Sequence, residues 1–392
     1  MNNTKEEPTL RFKGFTEPWE QRKLGDLTIR LDNQRIPVAE SKRTEGPTPY
    51  YGANGIQDYV SGYTHDGEYI LVAEDGANDL KNYPVQYVKG RIWVNNHAHV
   101  LKANGDNSTP FLKYVISSAD FESVLVGGGR AKLNANIMMN LDFWMPKRKE
   151  QDLISSLFLS LDSLITLHQR KYEKLKSIKT GFLEKMFPTE KEKFPRIRFK
   201  GFTEPWEQRK LGDLADIVGG GTPSTAISAY WGGTINWYSP IEIGNQIFVS
   251  TSQNKITNEG YKSCSAKILP IGTILFTSRA GIGKTAILAE KGCTNQGFQS
   301  IVPNTKLLDS YFVFSRSPEL KRYGDITGAG STFAEVSGKQ MAKMELMMPK
   351  ELKEQEAIGN LFKSLDSLIT LHQRKCDLLK NIKKAFLSRM FI

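Results

Sequence analysis

An internal repeat constrains this chain more than any other feature of its sequence. The seventeen letters RFKGFTEPWEQRKLGDL occupy residues 11–27 and occur again, unchanged, at residues 198–214. The twelve letters SLDSLITLHQRK likewise occupy residues 160–171 and 364–375. The segments between these shared pieces are almost unrelated to each other. Because a simple duplicated structural domain would diverge evenly along its length, this uneven divergence indicates one frame built twice around two different inserts.

The second repeated segment predicts a long amphipathic helix in each copy. Apolar residues recur at spacings of three and four, from Leu153 to Met186 and from Ile358 to Met390. About 35 residues, at a rise of about 1.5 Å each, form a rod of about 50 Å. We expect the two apolar stripes to bury each other in an antiparallel coiled coil, which makes the chain a pseudo-twofold repeat. The stripe residues are Leu157, Leu161, Leu164, His168 and Leu175 in the first helix, and Leu361, Leu365, Leu368, His372 and Leu379 in the second.

The two inserts have the composition of mixed α+β domains. Both contain short strand-like runs, turns rich in glycine and proline, and short helical segments. In each insert one strand runs directly into a polar turn, as ILVAEDG at residues 70–76 and as ILFTSRAG at residues 274–281. The predicted folds therefore match, although the side chains at the two turns differ.

The charge of the chain and its turns suggest a DNA partner. The net charge is +11, which favours either a polyanionic partner or a merely basic protein. Glycine-rich loops at residues 127–130 and 328–333 would let backbone N–H groups approach phosphates, or they are ordinary turns. Among the polar turn residues, Arg279 could read guanine, Asn54 adenine, and Glu74 or Asp75 cytosine. The candidate DNA-contacting residues, each of which could instead be a plain loop residue, are Tyr51, Asn54, Glu74, Asp75, Arg130, Lys132, Trp237, Ser278, Arg279, Lys284, Thr332 and Phe333.

Several functional classes lack their motifs. A phosphate-loop-like run that ends at Thr285 has Ser278 where the first glycine belongs. His97 and His99 have no third metal ligand spaced nearby, and alternate strand positions explain them better. A catalytic triad, a dinucleotide fingerprint and an adenine methyltransferase motif are also missing. We therefore predict no catalytic residue and no metal on this chain.

Compartment is predicted from cysteine usage and hydropathy. The three cysteines have no CxxC spacing, which favours a reducing cytoplasm over a disulfide framework or a zinc site. The sequence has no apolar run of about 18 residues for a membrane span, and its first residues do not resemble a secretory signal. A cytoplasmic protein is therefore expected.

From residue 11 onward, the chain resembles the specificity subunit of a type I restriction–modification system. The resemblance rests on the PWEQRKLGDL segments that end at Leu27 and Leu214, and on the GGTPS, YWGG and INW run of the second insert. It also rests on TNQGFQSIVP at residues 294–303 and on the helical segments that begin at Met145 and Met348. The first insert lacks GGTPS and carries YYGANG instead, which resembles another subtype of recognition domain.

This resemblance implies two target-recognition domains, at residues 1–150 and 191–350, each reading one half of a bipartite, asymmetric site in double-stranded DNA. It implies that residues 151–190 and 351–392 form the coiled-coil helices that set the unread spacer. These helices would dock two methyltransferase subunits, and restriction/translocase subunits would join them for cleavage. S-adenosylmethionine, ATP and Mg²⁺ would bind those partners, and adenine N6-methylation would occur there, so this chain itself would carry no cofactor and would not be an enzyme.

Two other functional classes stay open at this point. The first is a self-contained DNA-modifying enzyme, which would be active when purified alone. The second is a coiled-coil adaptor that binds only proteins, for which shortening the first helix by one heptad would leave DNA specificity unchanged.

Overall fold

The structure is a computed structural model that describes residues 7–127, 131–189, 191–244, 246–279, 281–329 and 335–392. It divides into two compact units. Unit 1 comprises Met1–Gln169 and Gln373–Ile392, and unit 2 comprises Arg170–His372. Each unit combines sheets with helices, so the predicted α+β class is confirmed. Among the described residues, every helix is too short or too polar to span a membrane.

Unit 1 is built around antiparallel strands. The alternation of buried and exposed side chains along the strand that ends at Val94 is typical of a sheet with one face on the core. The elements, in chain order, are β1 (Glu20–Lys23), α1 (Leu24–Leu27), β2 (Thr28–Arg30), β3 (Glu45–Gly52), β4 (Gly55–Val60), β5 (His65–Ala73), β6 (Val85–Val94), β7 (Ala98–Ala103), α2 (Thr109–Ser117), α3 (Ala135–Met139), β8 (Asp142–Met145) and the first part of α4 (Arg148–Met186).

Within the described residues, unit 1 has a six-stranded sheet in the order β2-β7-β5-β6-β3-β4. Its pairs are antiparallel except for β3 and β6, which run parallel. Helix α2 packs on this sheet, and its buried face, including Phe111, Leu112 and Tyr114, forms the centre of the core of unit 1. The strand predicted before the polar turn is present as β5, so Glu74 and Asp75 follow directly from a sheet strand.

Unit 2 has shorter strands and more turns. Its elements are β9 (Glu207–Lys210), β10 (Ala215–Gly219), β11 (Trp231–Tyr238), β12 (Phe248–Val249), β13 (Asn254–Ile256), α5 (Asn258–Lys262), β14 (Ile274–Phe276), β15 (Thr285–Leu288), β16 (Gly292–Thr294), β17 (Gln299–Pro303), α6 (Ser310–Ser315), α7 (Ser317–Gly328), α8 (Gly338–Ala342), β18 (Glu345–Met348) and the first part of α9 (Leu352–Met390). Short 3-10 turns interrupt both units at Asp32–Gln34, Glu40–Lys42, Glu122–Val124, Leu211–Asp213, Ser228–Tyr230 and Pro240–Glu242.

The described strands of unit 2 form a five-stranded sheet, β10-β17-β14-β15-β12, and a three-stranded sheet, β13-β11-β16. Strand β14 lies in the middle of the larger sheet and is fully buried. The predicted strand before the second polar turn is therefore present, and Thr277 follows it directly.

The repeated opening motif occupies the same place in both units. In unit 1, β1 pairs antiparallel with β8, which precedes the long helix α4. In unit 2, β9 pairs in the same way with β18, which precedes α9. Trp19 and Trp206, from the motif, are buried in the cores of their units. The shared letters thus tie the start of each insert to the start of the helix that follows it.

The long helices pack antiparallel within each unit. In unit 1, α4 contributes residues 148–169 and α9 contributes 373–390, with Cys376 Sγ donating to Gln169 Oε1 at 3.3 Å. Farther along, Phe391 lies with its ring centroid 5.7 Å from that of Phe158. The corresponding contact of unit 2 joins Phe187 and Phe362, whose ring centroids also lie 5.7 Å apart.

Candidate nucleic-acid interface

In unit 1 the polar turn after β5 is held by an ion-pair network. Arg35 Nη1 donates to Glu74 Oε2 at 2.7 Å, and Lys132 Nζ lies 2.9 Å from Glu74 Oε1. Burial opposes ionisation of Glu74, but these two cations hold its pKa below the ordinary value. His99, buried on β7, lies 2.7 Å from Asp32 Oδ2 and 3.6 Å from Glu74 Oε2. The turn is therefore fixed in position, with the side chain of Lys132 more than half exposed beside it.

Asp32, Glu74 and His99 bring three possible metal ligands within 4.8 Å of one another, a grouping that the sequence spacing did not suggest. Burial raises the pKa of Asp32, but the hydrogen bond from His99 contributes to a net lowering. Because Arg35 and Lys132 already neutralise Glu74, we interpret the group as part of the network that holds the turn rather than as a cation site.

The other candidates of unit 1 lie around the same turn. Asn54, between β3 and β4, donates from Nδ2 to the carbonyl of Gly76 at 2.9 Å and accepts the N–H of Asn78 at 2.9 Å. Its amide is exposed, yet it already connects two turns. Tyr51 is half-buried and packs against a sheet cluster, and burial raises its pKa. Asp75 Oδ1 lies 2.5 Å from His97 Nδ1.

In unit 2 the structure separates the candidates into buried and accessible side chains. Trp237 is buried, packs edge-on against Trp231 and donates from Nε1 to the carbonyl of Gly221 at 2.8 Å. Ser278 is completely buried. These two side chains are therefore less accessible than the other candidates of unit 2, and their contact with DNA stays a prediction. Arg279 and Lys284 are exposed, and Arg279 Nη2 lies 2.7 Å from Glu335 Oε1.

Three of the predicted contacts fall on the glycine-rich loops. Arg130, Thr332 and Phe333 lie outside the described residues. The accessible candidates that the structure does describe are therefore Asn54 and Lys132 in unit 1, and Arg279 and Lys284 in unit 2.

The comparison with known families matches both halves of the chain. A family model described as the type I restriction modification DNA specificity domain matches residues 16–177 and, a second time, residues 203–381. These two matches cover most of the chain. The chain belongs to the type I specificity family. The resemblance that was based on the opening motifs and helices is thereby confirmed.

Relatives of this type I specificity protein match parts of it. A stretch of 191 residues is 36% identical to the type I restriction enzyme MjaIX specificity subunit of Methanocaldococcus jannaschii, and covers 48% of this chain and 44% of that one. Another stretch of 145 residues is 39% identical to a type I restriction enzyme specificity subunit of Haemophilus influenzae, covering 37% and 38%. The chain thus spans less than half the length of these two curated relatives in the matched segments.

A solved structure shares the fold of the whole chain. The crystal structure of the type I restriction–modification system S subunit from M. genitalium superposes with a TM-score of 0.72 at 13% sequence identity. The superposition covers 98% of this chain and 99% of that one.

The specificity protein also contains a matched polar network in each unit that the sequence pattern did not suggest. In unit 1, Asp162 of α4 accepts from the hydroxyl of Tyr114 at 2.7 Å and pairs with Lys383 of α9. In unit 2, Asp366 of α9 accepts from Tyr311 at 3.0 Å and from Lys179 of α4 at 2.5 Å; burial raises the pKa of both tyrosines. The aspartates and lysines recur at the same offset as the twelve-letter repeat, which is a signal that could have revealed the pairs.

Lys113 breaks this symmetry in unit 1. Burial and the nearby Lys383 lower its pKa, and Asp162, at 3.7 Å, raises it; the net result is a lowering to about 8. Its pKa in the folded protein is below that of an unfolded lysine, so the unfolded chain binds more protons between about pH 8 and pH 10.5, and stability rises with pH in that window.

We expect Lys113→Met to raise the free energy of unfolding by about 1–3 kcal/mol near pH 7, because it removes a buried charge that Asp162 compensates incompletely. The gain shrinks at about pH 9.5, where the wild-type lysine is largely neutral. Urea unfolding at both pH values measures this, with the exposed Lys102→Met as control. A loss of stability at pH 7 would instead assign Lys113 a stabilising ion pair.

The stripe residues predicted for the helices divide into three groups. Six of them, Leu157, Leu161, Leu175, Leu361, Leu365 and Leu379, belong to or pack against the cores of their units. His168 and His372 are half-buried.

Leu164 and Leu368 are 43% and 44% exposed, and Leu167 and Leu371 are similarly exposed one turn later. The same two positions of the twelve-letter repeat thus carry exposed leucines in both units.

Proposed function

We propose that this chain is the DNA sequence-recognition subunit of a type I restriction–modification complex. It binds a bipartite, asymmetric site, and each unit reads one half. The observation that carries the proposal is the double match to the type I specificity family, over residues 16–177 and 203–381. One chain therefore holds two specificity domains whose turns carry different side chains. Two different readers in one chain fit an asymmetric site better than a palindrome.

DNA binding in this proposal combines charge with base reading. The net charge of +11 supplies phosphate contacts that position the duplex. Exposed turn residues, among them Lys132 and Arg279, are close to the proposed base-reading surfaces. Since each mismatched base pair costs about 1–3 kcal/mol, two half-sites read independently multiply the selectivity. Residues 1–150 and 191–350 are the proposed target-recognition domains, and the helices at 151–190 and 351–392 set the spacer between the half-sites.

The chemistry in this proposal belongs to partner subunits. Two methyltransferase subunits bind S-adenosylmethionine and methylate adenine at N6, after the base leaves the helical stack. Restriction/translocase subunits bind ATP and Mg²⁺ and cut unmodified DNA. This chain holds the target adenines in place and carries no catalytic residue of its own. The complex acts in the cytoplasm, where its DNA substrate lies.

The exposed leucines provide a basis for the partner proposal. Leu164 and Leu167 in unit 1 have identical counterparts, Leu368 and Leu371, in unit 2. Exposed leucines at helical spacing form an apolar patch that contributes little to the folding of either unit. Two copies of the same patch fit two copies of the same partner, which agrees with two methyltransferase subunits.

Coexpression with a methyltransferase partner tests the proposed function. We expect N6-methyladenine mapping across a host genome to reveal one bipartite motif that is absent when this chain is left out. The chain purified alone is expected to show no methyltransferase or nuclease activity. Methylation by the isolated chain would support a self-contained enzyme. Formation of a complex without new methylation would instead support the adaptor.

A further inference from the structure

A groove in unit 2 combines Arg279 and Lys284, which are candidate DNA contacts, with neighbouring side chains that have no assigned role. It has a volume of about 520 Å³ and lies between the 3-10 turn Pro240–Glu242 and the segments that follow β14 and β16. It brings an apolar side chain, two cations and amides to one concave surface. The groove is lined by Pro240, Ile241, Arg279, Lys284, Asn295, Gln296 and Gly297.

The frame of this groove is preformed. Glu242 Oε1 accepts the N–H and the hydroxyl of Ser239 at 2.9 and 3.1 Å, and Oε2 accepts the N–H of Gln253 at 2.7 Å. On the opposite side, Asn295 Oδ1 accepts the N–H of Gly297 at 2.8 Å. A Cβ on Gly297 would lie only 2.7 Å from Pro240 Cγ, so the two sides touch at their base. The groove is therefore held by hydrogen bonds and close packing before any ligand binds.

Ile241 is an apolar side chain of the groove whose exposure to solvent serves no purpose in folding. It is 84% exposed, more than any other large hydrophobic residue in the described part of the chain. An isoleucine held on a rigid turn and left in water contributes nothing to the core, and its exposed surface is available for contact with a ligand.

The neighbours of Ile241 indicate the class of ligand. Arg279 and Lys284 line the same groove, and Lys284 has no ion pair within the described residues. The hydroxyl of Thr222 donates to Gln296 Oε1 at 2.5 Å, which leaves the two N–H groups of Gln296 Nε2 as donors. An apolar contact next to N–H donors and cations matches the major-groove edge of an A·T pair. That edge presents the thymine methyl group beside acceptors and is flanked by phosphates.

We propose that Ile241 is a specificity-determining residue that packs on the 5-methyl group of one thymine in the half-site read by unit 2. Gln296 Nε2 donates to an acceptor on the same base pair, and Arg279 and Lys284 contact flanking phosphates. This assignment rests on the proposed function, and it adds the base type and the residues that read it. The positive charge of the groove favours DNA over an apolar segment of a protein partner.

The experiment replaces thymine with uracil, which lacks only the 5-methyl group. The coexpressed methyltransferase complex first defines the bipartite motif. The affinity of the complex is then measured for duplexes in which one thymine of the motif at a time is replaced by uracil. We expect wild-type affinity to fall about five- to twentyfold at one thymine position. Ile241→Ala is expected to bind the unsubstituted site more weakly by a similar factor and to bind thymine and uracil equally at that position. Ile271→Ala, an exposed isoleucine outside the groove, keeps the wild-type preference for thymine.

The outcomes separate the two proposals. If the wild-type complex produces no bipartite motif, the proposed function fails, and the assignment of Ile241 fails with it. If a motif exists but Ile241→Ala prefers thymine over uracil at the same positions as the wild type, only the assignment of Ile241 is overturned. Equal weakening of binding to specific and unrelated DNA, with the preference for thymine kept, also overturns it.

Discussion

Replacing Phe158 with alanine is expected to lower the free energy of unfolding by about 3–5 kcal/mol. Phe158 is completely buried in unit 1, with its ring 4.9 Å from that of Tyr114 and 5.7 Å from that of Phe391. It joins the helix α2 of the insert and the end of α9 to α4, so its removal leaves a cavity among three elements. The surrounding rings relax only partly into such a cavity, which adds to the lost transfer free energy.

Urea unfolding measures this loss, and hydrogen exchange resolved by peptide shows whether it is concentrated in unit 1. Leu164→Ala is the matched control, because Leu164 lies on the same helix but is 43% exposed. We expect the control to change stability by less than about 1 kcal/mol. Equal, small losses for both variants would show that α4 does not depend on Phe158 for its packing.

The second large effect is expected from Glu354→Gln. Glu354 is buried at the start of α9 and accepts two hydrogen bonds from Arg198, from Nε at 2.7 Å and from Nη2 at 2.8 Å. Trp206 Nε1 donates to it as well, at 3.2 Å. The hydrogen bond to Glu354 also raises the pKa of Arg198. Removing the carboxylate leaves a largely buried guanidinium without its counter-charge, so we expect a loss of about 3–5 kcal/mol.

The same urea experiment tests this prediction, with hydrogen exchange expected to show the loss in unit 2. Glu356→Gln is the matched control, since Glu356 is exposed two residues further along the same helix. Unit 1 offers an internal replicate, because Arg11 and Glu150 form the same bidentate pair there. If Glu354→Gln were no more destabilising than Glu356→Gln, the pair would not hold the opening motif to the helix.

The local sequence pattern was sufficient to predict the helices and strands that carry the candidate interface. Apolar spacing predicted both long helices, and the structure contains them as Arg148–Met186 and Leu352–Met390. The strands before the two polar turns were also correctly placed, as β5 and β14. These features depend on residues that are close along the chain, so periodicity and turn residues are enough to predict them.

The solvent exposure of the candidate side chains could not be predicted from the local sequence pattern. Trp237 and Ser278 looked like surface residues of a polar turn, but their neighbours in the fold cover them. Ile241, which is nearly fully exposed, gave no sequence signal, since an isolated isoleucine in a turn is usually packed. Exposure is set by residues that are distant along the chain, and a strand pattern does not say which of them will cover a given side chain.

By itself, the sequence determined that the chain has two copies of one frame, which residues form helices, and which family it belongs to. Only the tertiary structure decided which face of each helix is buried. Phe158 and Phe362, which were not among the predicted stripe residues, fill the cores, whereas the predicted Leu164 and Leu368 are 43% and 44% exposed. Apolar residues lie on more than one side of these helices, so their periodicity allows several buried faces. The rings of the inserts, together with hydrogen bonds such as those from Tyr114 to Asp162 and from Tyr311 to Asp366, select one of those faces by packing against it.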